Sequence, residues 1–493
     1  MWLHRRKDAK FIKVRWVRVN KGSSRVPRVR CRLVACELGH GVKDDELYAG
    51  TPSLATLKLL LSWYCVIGSE MNVIKVIDIK SAFLYGQARR NLFIELPDRD
   101  PQSGSCFVGR LKKAMYGTRD APLIWRSTVD IFMKENGFTT VMTQPGVYFH
   151  AVRNVYVMTH VDDFLVTGSL VETTWFENLL KSQFEITSTT LGRNFEKSTK
   201  YLNRLITWSE EGIFLEGDEK HAAVLLSEWG MTDCKGVSTP VVREEELNSE
   251  AGDNTLDTKA GTRYRRAAAR VNYMSQDRPD LSVVSRRLSQ GMKEPRQSDE
   301  IHLKRALRSL KDHPRCVSFM KWQSKQSGFT LLVDSDWAGE KKSRKSCSGG
   351  CILLGSHLIS HWSKLQGTIA LSSGEAELNA AVKGVSEIIG IQELAQEFGY
   401  HLSITLCTDA TVCKSILLRH GSGRIKHLST KQLWVQGAVE SYGIKVTKVP
   451  RAINSSDLMT HCCGTEDFKD HLVRLNQNNN IQVTRKQLPA EAA

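Results

Sequence analysis

Tyr156–Ser169 reads YVMTHVDDFLVTGS, two short apolar runs flanking a pair of aspartates. The runs are too short for helices and fit two strands joined by a tight turn, with Asp162 and Asp163 at the bend. A carboxylate among apolar neighbours carries a large desolvation penalty, so it is paired or it holds a cation. No Lys or Arg lies within five residues of either aspartate, and no local ion pair accounts for them. Upstream, VIDIKSAFL (Val76–Leu84) begins as a buried strand and carries a third carboxylate, Asp78. Three aspartates on adjacent strands make an all-oxygen site suited to Mg²⁺.

A second set of acids follows Gly328. The stretches FTLLVDSD, GGCILL and HLISHWS read as strands, then a long helix runs from about Gly374 to Phe398, and ITLCTD and IKVTKV supply two further strands. Strands alternating with helices predict an α/β architecture. Asp334 ends its strand, Glu377 opens the helix, Asp409 ends ITLCTD, and Asp457 lies in NSSDLMTH, whose asparagine and serines suit a helix start. Acids so placed can converge at one edge of a sheet, as a two-metal nuclease needs. Asp336 and Glu375 stand two residues from Asp334 and Glu377 and are the competing register.

The rest of the chain bounds the reading. Its 493 residues suit two to four domains, and 41% hydrophobic content is enough for real cores. Lys and Arg exceed Asp and Glu by 69 to 53, a charge of +16 that favours a polyanionic partner. No run of eighteen apolar residues exists and the basic opening MWLHRRKDAK has no apolar stretch behind it, so neither a membrane span nor a secretory signal is expected. The twelve cysteines are scattered with no C-x-x-C; reduced, buried thiols are the expectation, and adjacent Cys462 and Cys463 behind His420 and His427 do not suit a zinc site. Residues 1–32 hold twelve basic residues against one acidic, and Arg28, Arg30 and Arg32 alternate with Val29, Cys31 and Leu33 as one basic face of a strand. Ala55–Ser69 and Asp218–Gly230 have helical spacing, Glu244–Thr262 reads as a linker, Tyr264 to about Trp322 as basic helices, and the tail after Asp467 as polar and frayed. GSGRIK (Gly421–Lys426) lacks the strand–helix context of a phosphate loop and reads as a plain loop.

Several blocks stand in the order of one known family. CRLVA (Cys31–Ala35), TPSLATLKLLLS (Thr51–Ser62), VIDIKSAFLYG (Val76–Gly86), RLKKAMYGTRDAPLIW (Arg110–Trp125) and HVDDFLVTG resemble the reverse transcriptases of copia-class LTR retrotransposons. DSDWAGEKKSRKSCSGG, WSKLQGTIALSSGEAELNAA, CTDATVCKSI, RIKHLSTKQLWVQ and NSSDLMT resemble the RNase H domain of the same polyproteins, and RPDLSVVSRRLSQ (Arg278–Gln290) resembles their connecting region. The resemblance covers roughly residues 25–465 and implies an RNA-directed DNA polymerase with a fused RNase H. It implies a right-hand polymerase of α+β build (fingers, palm, thumb) followed by an RNase H-like α/β domain. The expected boundaries are fingers and palm over 1–205, a thumb-like segment over 206–243, a linker over 244–262, a helical connection over 263–325, RNase H over 326–466 and a tail over 467–493.

Carried over by position, Asp78, Asp162 and Asp163 match the polymerase metal ligands, with the Ile79 carbonyl assisting. Phe83 matches the aromatic gate against a ribose 2′-hydroxyl, Tyr116 and Gly117 match the segment beside the incoming nucleotide, and either Arg30 or Arg32 is expected to hold its triphosphate. Asp334, Glu377, Asp409 and Asp457 match the RNase H tetrad; His427 is expected to touch substrate or to be structural. The family usually has a tyrosine where this chain has His160, and an aspartate where it has Ser429. The implied cofactors are two Mg²⁺ ions per site, with Mn²⁺ an acceptable substitute, and the implied partners are an RNA template, a DNA primer, the RNA–DNA hybrid and dNTPs, with no membrane and no prediction of oligomeric state. Such a protein acts inside the cell, in cytoplasmic virus-like particles or the nucleus. With no protease, integrase or zinc knuckle in the sequence, a C-terminal fragment or truncated copy is expected. A catalytically silent relic that only binds nucleic acid, and a nuclease-only fragment, are the rivals.

Overall fold

The computed structural model describes residues 10–20, 22, 26–37, 50–66, 68, 71–98, 100–104, 107–242, 253–423 and 428–478. The chain divides into two compact units, Met1–Pro52 with Ile74–Thr189 and Ser53–Val73 with Thr190–Ala493.

The first unit is α+β, built on a six-stranded sheet in the spatial order Ile186–Leu191, Asn72–Ile79, Asp163–Ser169, Val155–His160, Val147–His150, Thr139–Thr140. Its central strands are apolar on both faces: Val155, Val157, Met158, Phe164, Leu165 and Val166 are all fully buried. One face is covered by the helices Ala121–Glu135 and Leu170–Gln183, whose Trp125, Phe132, Phe176 and Leu180 share a core with Ile77, Tyr148 and Phe164. Burying one such aromatic or leucine contributes about 1.5–3 kcal/mol. Helix Leu170–Gln183 starts without a loop because Ser169 ends the strand and caps the helix, its hydroxyl accepting the Glu172 N–H at 3.3 Å. The basic strand Val29–Ala35 pairs antiparallel with Val14–Asn20 as a two-stranded ribbon.

The second unit takes in a segment that is distant in sequence. Helix Leu54–Tyr64 is apolar nearly all round, so it has to be surrounded. It packs on strand His357–Leu365, where the Ser62 hydroxyl lies 2.8 Å from His357 Nδ1. Helices Lys220–Glu228, Thr258–Met274, Ser282–Gln290 and Gln297–Asp312 enclose one core around Leu225, Tyr264, Val271, Leu303 and Leu307. The α/β part is a five-stranded sheet in the order His357–Leu365, Cys347–Leu354, Gly328–Asp336, Ser403–Thr408, Lys445–Lys448, the first three antiparallel and the last two joined in parallel. The long helix Ser373–Glu397 lies on it, close enough that a Cβ at Gly384 would stand 2.6 Å from Val333.

Three local readings change. Helix Thr258–Met274 begins inside the stretch read as linker, because the Asp257 carboxylate accepts the Ala260 N–H at 2.8 Å and caps it; residues 243–252 lie outside the described residues. The basic helical stretch ends in a strand, Val317–Lys321, which joins a second five-stranded sheet. The described part of the tail is not frayed: helix Thr465–Arg474 buries Phe468 and Leu472, and Gln477–Asn478 pairs with Val317–Lys321.

Candidate active sites

The hairpin in the first unit is closed by the pair His160–Asp163, leaving Val161 and Asp162 as a two-residue turn. Val161 has φ +59°, a left-handed conformation that costs a β-branched residue about 1–3 kcal/mol. Two hydrogen bonds hold it there: Trp125 Nε1 donates to the Val161 carbonyl at 2.6 Å, and the Ile79 N–H donates to the Asp162 carbonyl at 3.0 Å. The second bond fixes the Asp78 strand end against the turn. Burial pushes the Asp163 carboxyl up to about 6, and the charges of Asp162 and Asp78 add to it. Asp78 is also raised, first by burial and then by Asp162, against the fields of Arg30, Lys80 and Arg32. Among the described residues no Lys or Arg lies within 4.0 Å of any of the three, so the cluster is short of positive charge. That deficit suits a divalent cation.

Around these acids stand the other residues expected there. Arg30 and Arg32 project from the ribbon, and the Arg32 guanidinium lies 5.5 Å from the Tyr116 ring centre. Phe83, on the short turn Ala82–Tyr85, meets Tyr116 at 4.9 Å between ring centres and packs on Ala114, Ala121 and Ile124. The Tyr116 carbonyl accepts the Ala35 N–H at 2.8 Å, while its hydroxyl is buried with no hydrogen-bond partner. Gly117 has φ +89°, and a Cβ there would fall 2.0 Å from the Ala35 carbonyl oxygen, so only glycine lets this segment lie against the ribbon. Glu37 anchors the ribbon further, taking two hydrogen bonds from Arg90 at 2.8 and 2.9 Å and the Arg119 N–H at 2.8 Å.

In the second unit the convergence is tighter. Asp334, Glu377 and Asp409 each offer an oxygen within 4.8 Å of the other two, and Asp334, Asp457 and His461 do the same with oxygen and nitrogen. Glu377 Oε1 accepts the Ser335 N–H and hydroxyl, both at 3.1 Å, while Oε2 is buried and unpaired. Asp457 Oδ2 pairs with Arg451 at 3.0 Å, while Oδ1 is buried and unpaired. Burial lifts Glu377 to about 8, helped by Asp334 and Asp409, and lifts Asp457 to about 6, helped by Asp334. Buried acceptors without donors are costly, and a cation would satisfy them. The residues present fit divalent metal.

The competing register has other work. Asp336 accepts the Cys347 N–H across the strand pair, and Glu375 accepts the Leu371 N–H at 2.7 Å and the Gln432 amide at 3.0 Å. His427 lies outside the described residues, and no cysteine belongs to either cluster. His461, which no sequence pattern marks, places Nε2 3.3 Å from Asp334 Oδ2. It stands four residues after Asp457, on the turn that follows the short helix Ser455–Met459. Also unforeseen is a groove of about 990 Å³ beside the long helix, with Gln366, Asn379 and Gln432 joined by amide hydrogen bonds of 3.0–3.1 Å and Trp434 at its rim.

Residues 2–243 match the family described as reverse transcriptase (RNA-dependent DNA polymerase). The retrovirus-related Pol polyprotein from transposon TNT 1-94 of Nicotiana tabacum is 26% identical over 96% of this chain and 36% of its own length. An uncharacterised mitochondrial protein of Arabidopsis thaliana is 32% identical over 48% of this chain and 93% of its own length. Among solved structures, a foamy viral protease-reverse transcriptase in complex with an RNA/DNA hybrid superposes with a TM-score of 0.45 at 10% identity, covering 88% of this chain and 50% of that one. The chain spans about a third of the length of the Pol polyproteins it matches. Over residues 2–243 the chain belongs to the reverse transcriptase family, and over most of its length it is similar to retrotransposon Pol polyproteins.

Proposed function

We propose that the chain is an RNA-directed DNA polymerase with a fused RNase H, the first unit extending a DNA primer on an RNA template from dNTPs and the second cleaving the RNA of the resulting hybrid. The observation that carries this reading is a gathering of carboxylates in each unit: in the second, Asp334 meets Glu377 and Asp409 within 4.8 Å and likewise Asp457 with His461, and in the first, Asp162 and Asp78 raise Asp163 by their charge. Bound Mg²⁺, or Mn²⁺ in its place, supplies the charge that activates the attacking hydroxyl or water and steadies the leaving oxygen. In the polymerase site Asp78, Asp162 and Asp163 would hold it, with the Ile79 carbonyl assisting. Phe83, braced by Tyr116, closes the space a ribose 2′-hydroxyl would need. Arg32 is held near Tyr116 and Arg30 is open to solvent, so Arg30 is the freer to meet a triphosphate. In the nuclease site Asp334, Glu377, Asp409 and Asp457 would hold the metal.

On this reading residues 1–205 serve as fingers and palm, 206–243 as a thumb-like segment, 263–325 as a connection and 326–466 as the RNase H. The described cysteines are all free, which suits a reducing compartment, and we place the protein inside the cell, in the cytoplasm or nucleus. The test is primer extension on RNA beside cleavage of a labelled RNA–DNA hybrid. Asp162→Asn/Asp163→Asn should slow extension by roughly a thousandfold and spare cleavage, and Asp334→Asn should do the reverse. Cleavage without extension in the parent would leave a nuclease alone, and neither activity in a folded sample would leave a nucleic-acid-binding relic.

A further inference from the structure

We propose that His461 is a metal ligand, so that Asp334, Asp457 and His461 form a mixed oxygen–nitrogen cation position selective for first-row transition ions such as Mn²⁺ or Co²⁺ over Mg²⁺. The inference rests on the nuclease reading and adds to it a ligand that the carboxylate tetrad lacks. Three observations carry it. The ligand atoms of the three residues all lie within 4.8 Å of one another, and Nε2 of His461 stands 3.3 Å from Asp334 Oδ2. Asp457 is only 7% exposed, and its Oδ1 is buried without a hydrogen-bond partner, an acceptor waiting for a donor or an ion. Asp334 belongs to both clusters, so one carboxylate bridges an all-oxygen position, completed by Glu377 and Asp409, and a position that includes an imidazole.

The two positions differ in chemistry. Carboxylate oxygens suit Mg²⁺ and Mn²⁺ alike, whereas imidazole nitrogen favours transition ions and is a poor ligand for Mg²⁺. Arg451, which pairs with the other oxygen of Asp457, orients that carboxylate from outside as an outer partner would. The site is therefore asymmetric by construction, one half indifferent to the ion and the other selective.

The experiment uses the full chain carrying Asp162→Asn/Asp163→Asn, which removes the polymerase metal position. Mn²⁺ and Mg²⁺ binding are titrated by calorimetry, and pulsed EPR of bound Mn²⁺ reports directly on nitrogen coordination. The expected result is a nitrogen coupling that disappears in His461→Gln, with Mn²⁺ affinity at that position falling at least about tenfold, the loss that removal of an outer-shell partner alone can cause, and Mg²⁺ affinity unchanged. His461→Asp, which restores an oxygen donor, should strengthen Mg²⁺ binding there and keeps the test open if the glutamine variant folds poorly. Bound Mn²⁺ with no nitrogen coupling in the parent, or equal Mn²⁺ affinity in His461→Gln, overturns the inference. Hybrid cleavage is followed in the same samples. Cleavage without the nitrogen signal sinks the ligand role alone, and the nitrogen signal without cleavage in any metal upholds the ligand while sinking the nuclease reading.

Discussion

Replacing Glu377 by glutamine should make the metal-free protein more stable at neutral pH while removing the nuclease. Glu377 is 8% exposed and faces Asp334 and Asp409, and its carboxyl is lifted from the ordinary 4.5 to about 8. Below pH 4.5 the group is protonated whether the chain is folded or not and contributes nothing. Between 4.5 and 8 the unfolded chain loses the proton while the folded one keeps it, so stability falls as pH rises, and the deficit is constant above 8. At about 1.4 kcal/mol per pH unit, the deficit is about 3 kcal/mol at pH 7 and about 5 kcal/mol above pH 8. A glutamine side chain would never carry the charge, and its carbonyl oxygen can still accept from Ser335 as Oε1 does at 3.1 Å. With chelator present, Glu377→Gln should raise the apparent melting midpoint by roughly 5 °C at pH 8 and by little at pH 5. Added Mg²⁺ should then raise the parent's midpoint more than the variant's, because an ion that binds only the folded state stabilises it and the parent keeps the extra carboxylate. A variant that melts at or below the parent at pH 8 in chelator would refute the charge-repulsion argument.

Other expectations follow from single contacts. Trp125→Phe removes the donor to the Val161 carbonyl and should cost about 1–2 kcal/mol by thermal unfolding, with slower primer extension as the strained turn relaxes. Gly117→Ala places a methyl 2.0 Å from the Ala35 oxygen at positive φ, so extension should fall sharply while hybrid cleavage in the other unit persists. Phe83→Ala opens the space beside Tyr116, and incorporation of ribonucleotides relative to deoxynucleotides should rise on the same template. Asp162→Asn/Asp163→Asn should slow extension by roughly a thousandfold, the rate equivalent of the several kcal/mol of charge stabilisation a bound metal gives.

What the sequence revealed follows from what periodicity encodes. The hairpin around Asp162 and Asp163 and the strands of the second unit's sheet were legible because continuous apolar runs of strand length leave few alternatives. The register between Asp334 and Asp336 was not, since residues two apart on a strand share a face and only partners such as the Cys347 N–H separate them. Helix Leu54–Tyr64 was visible as a helix, but an apolar surface carries no address, and nothing in Ala55–Ser69 names His357 as its neighbour. The helix Thr465–Arg474 was readable in principle from Phe468, Leu472 and Leu475 at helical spacing, and the polar residues between them masked it. His461 was hidden because its role depends on Asp334, a carboxylate far earlier in the chain.

The docking of Leu54–Tyr64 on His357–Leu365 has a consequence for synthesis. At the ribosome's pace the helix emerges and then waits about 15–60 s for the strand that covers it, some 300 residues later. In that interval the helix that carries Leu57, Leu59, Leu60 and Leu61, all buried in the finished protein, lacks the strand it packs on. The nascent chain thus carries a sticky segment across some 300 residues of synthesis, and a ribosome that stops before His357 releases a product whose helix lacks its strand.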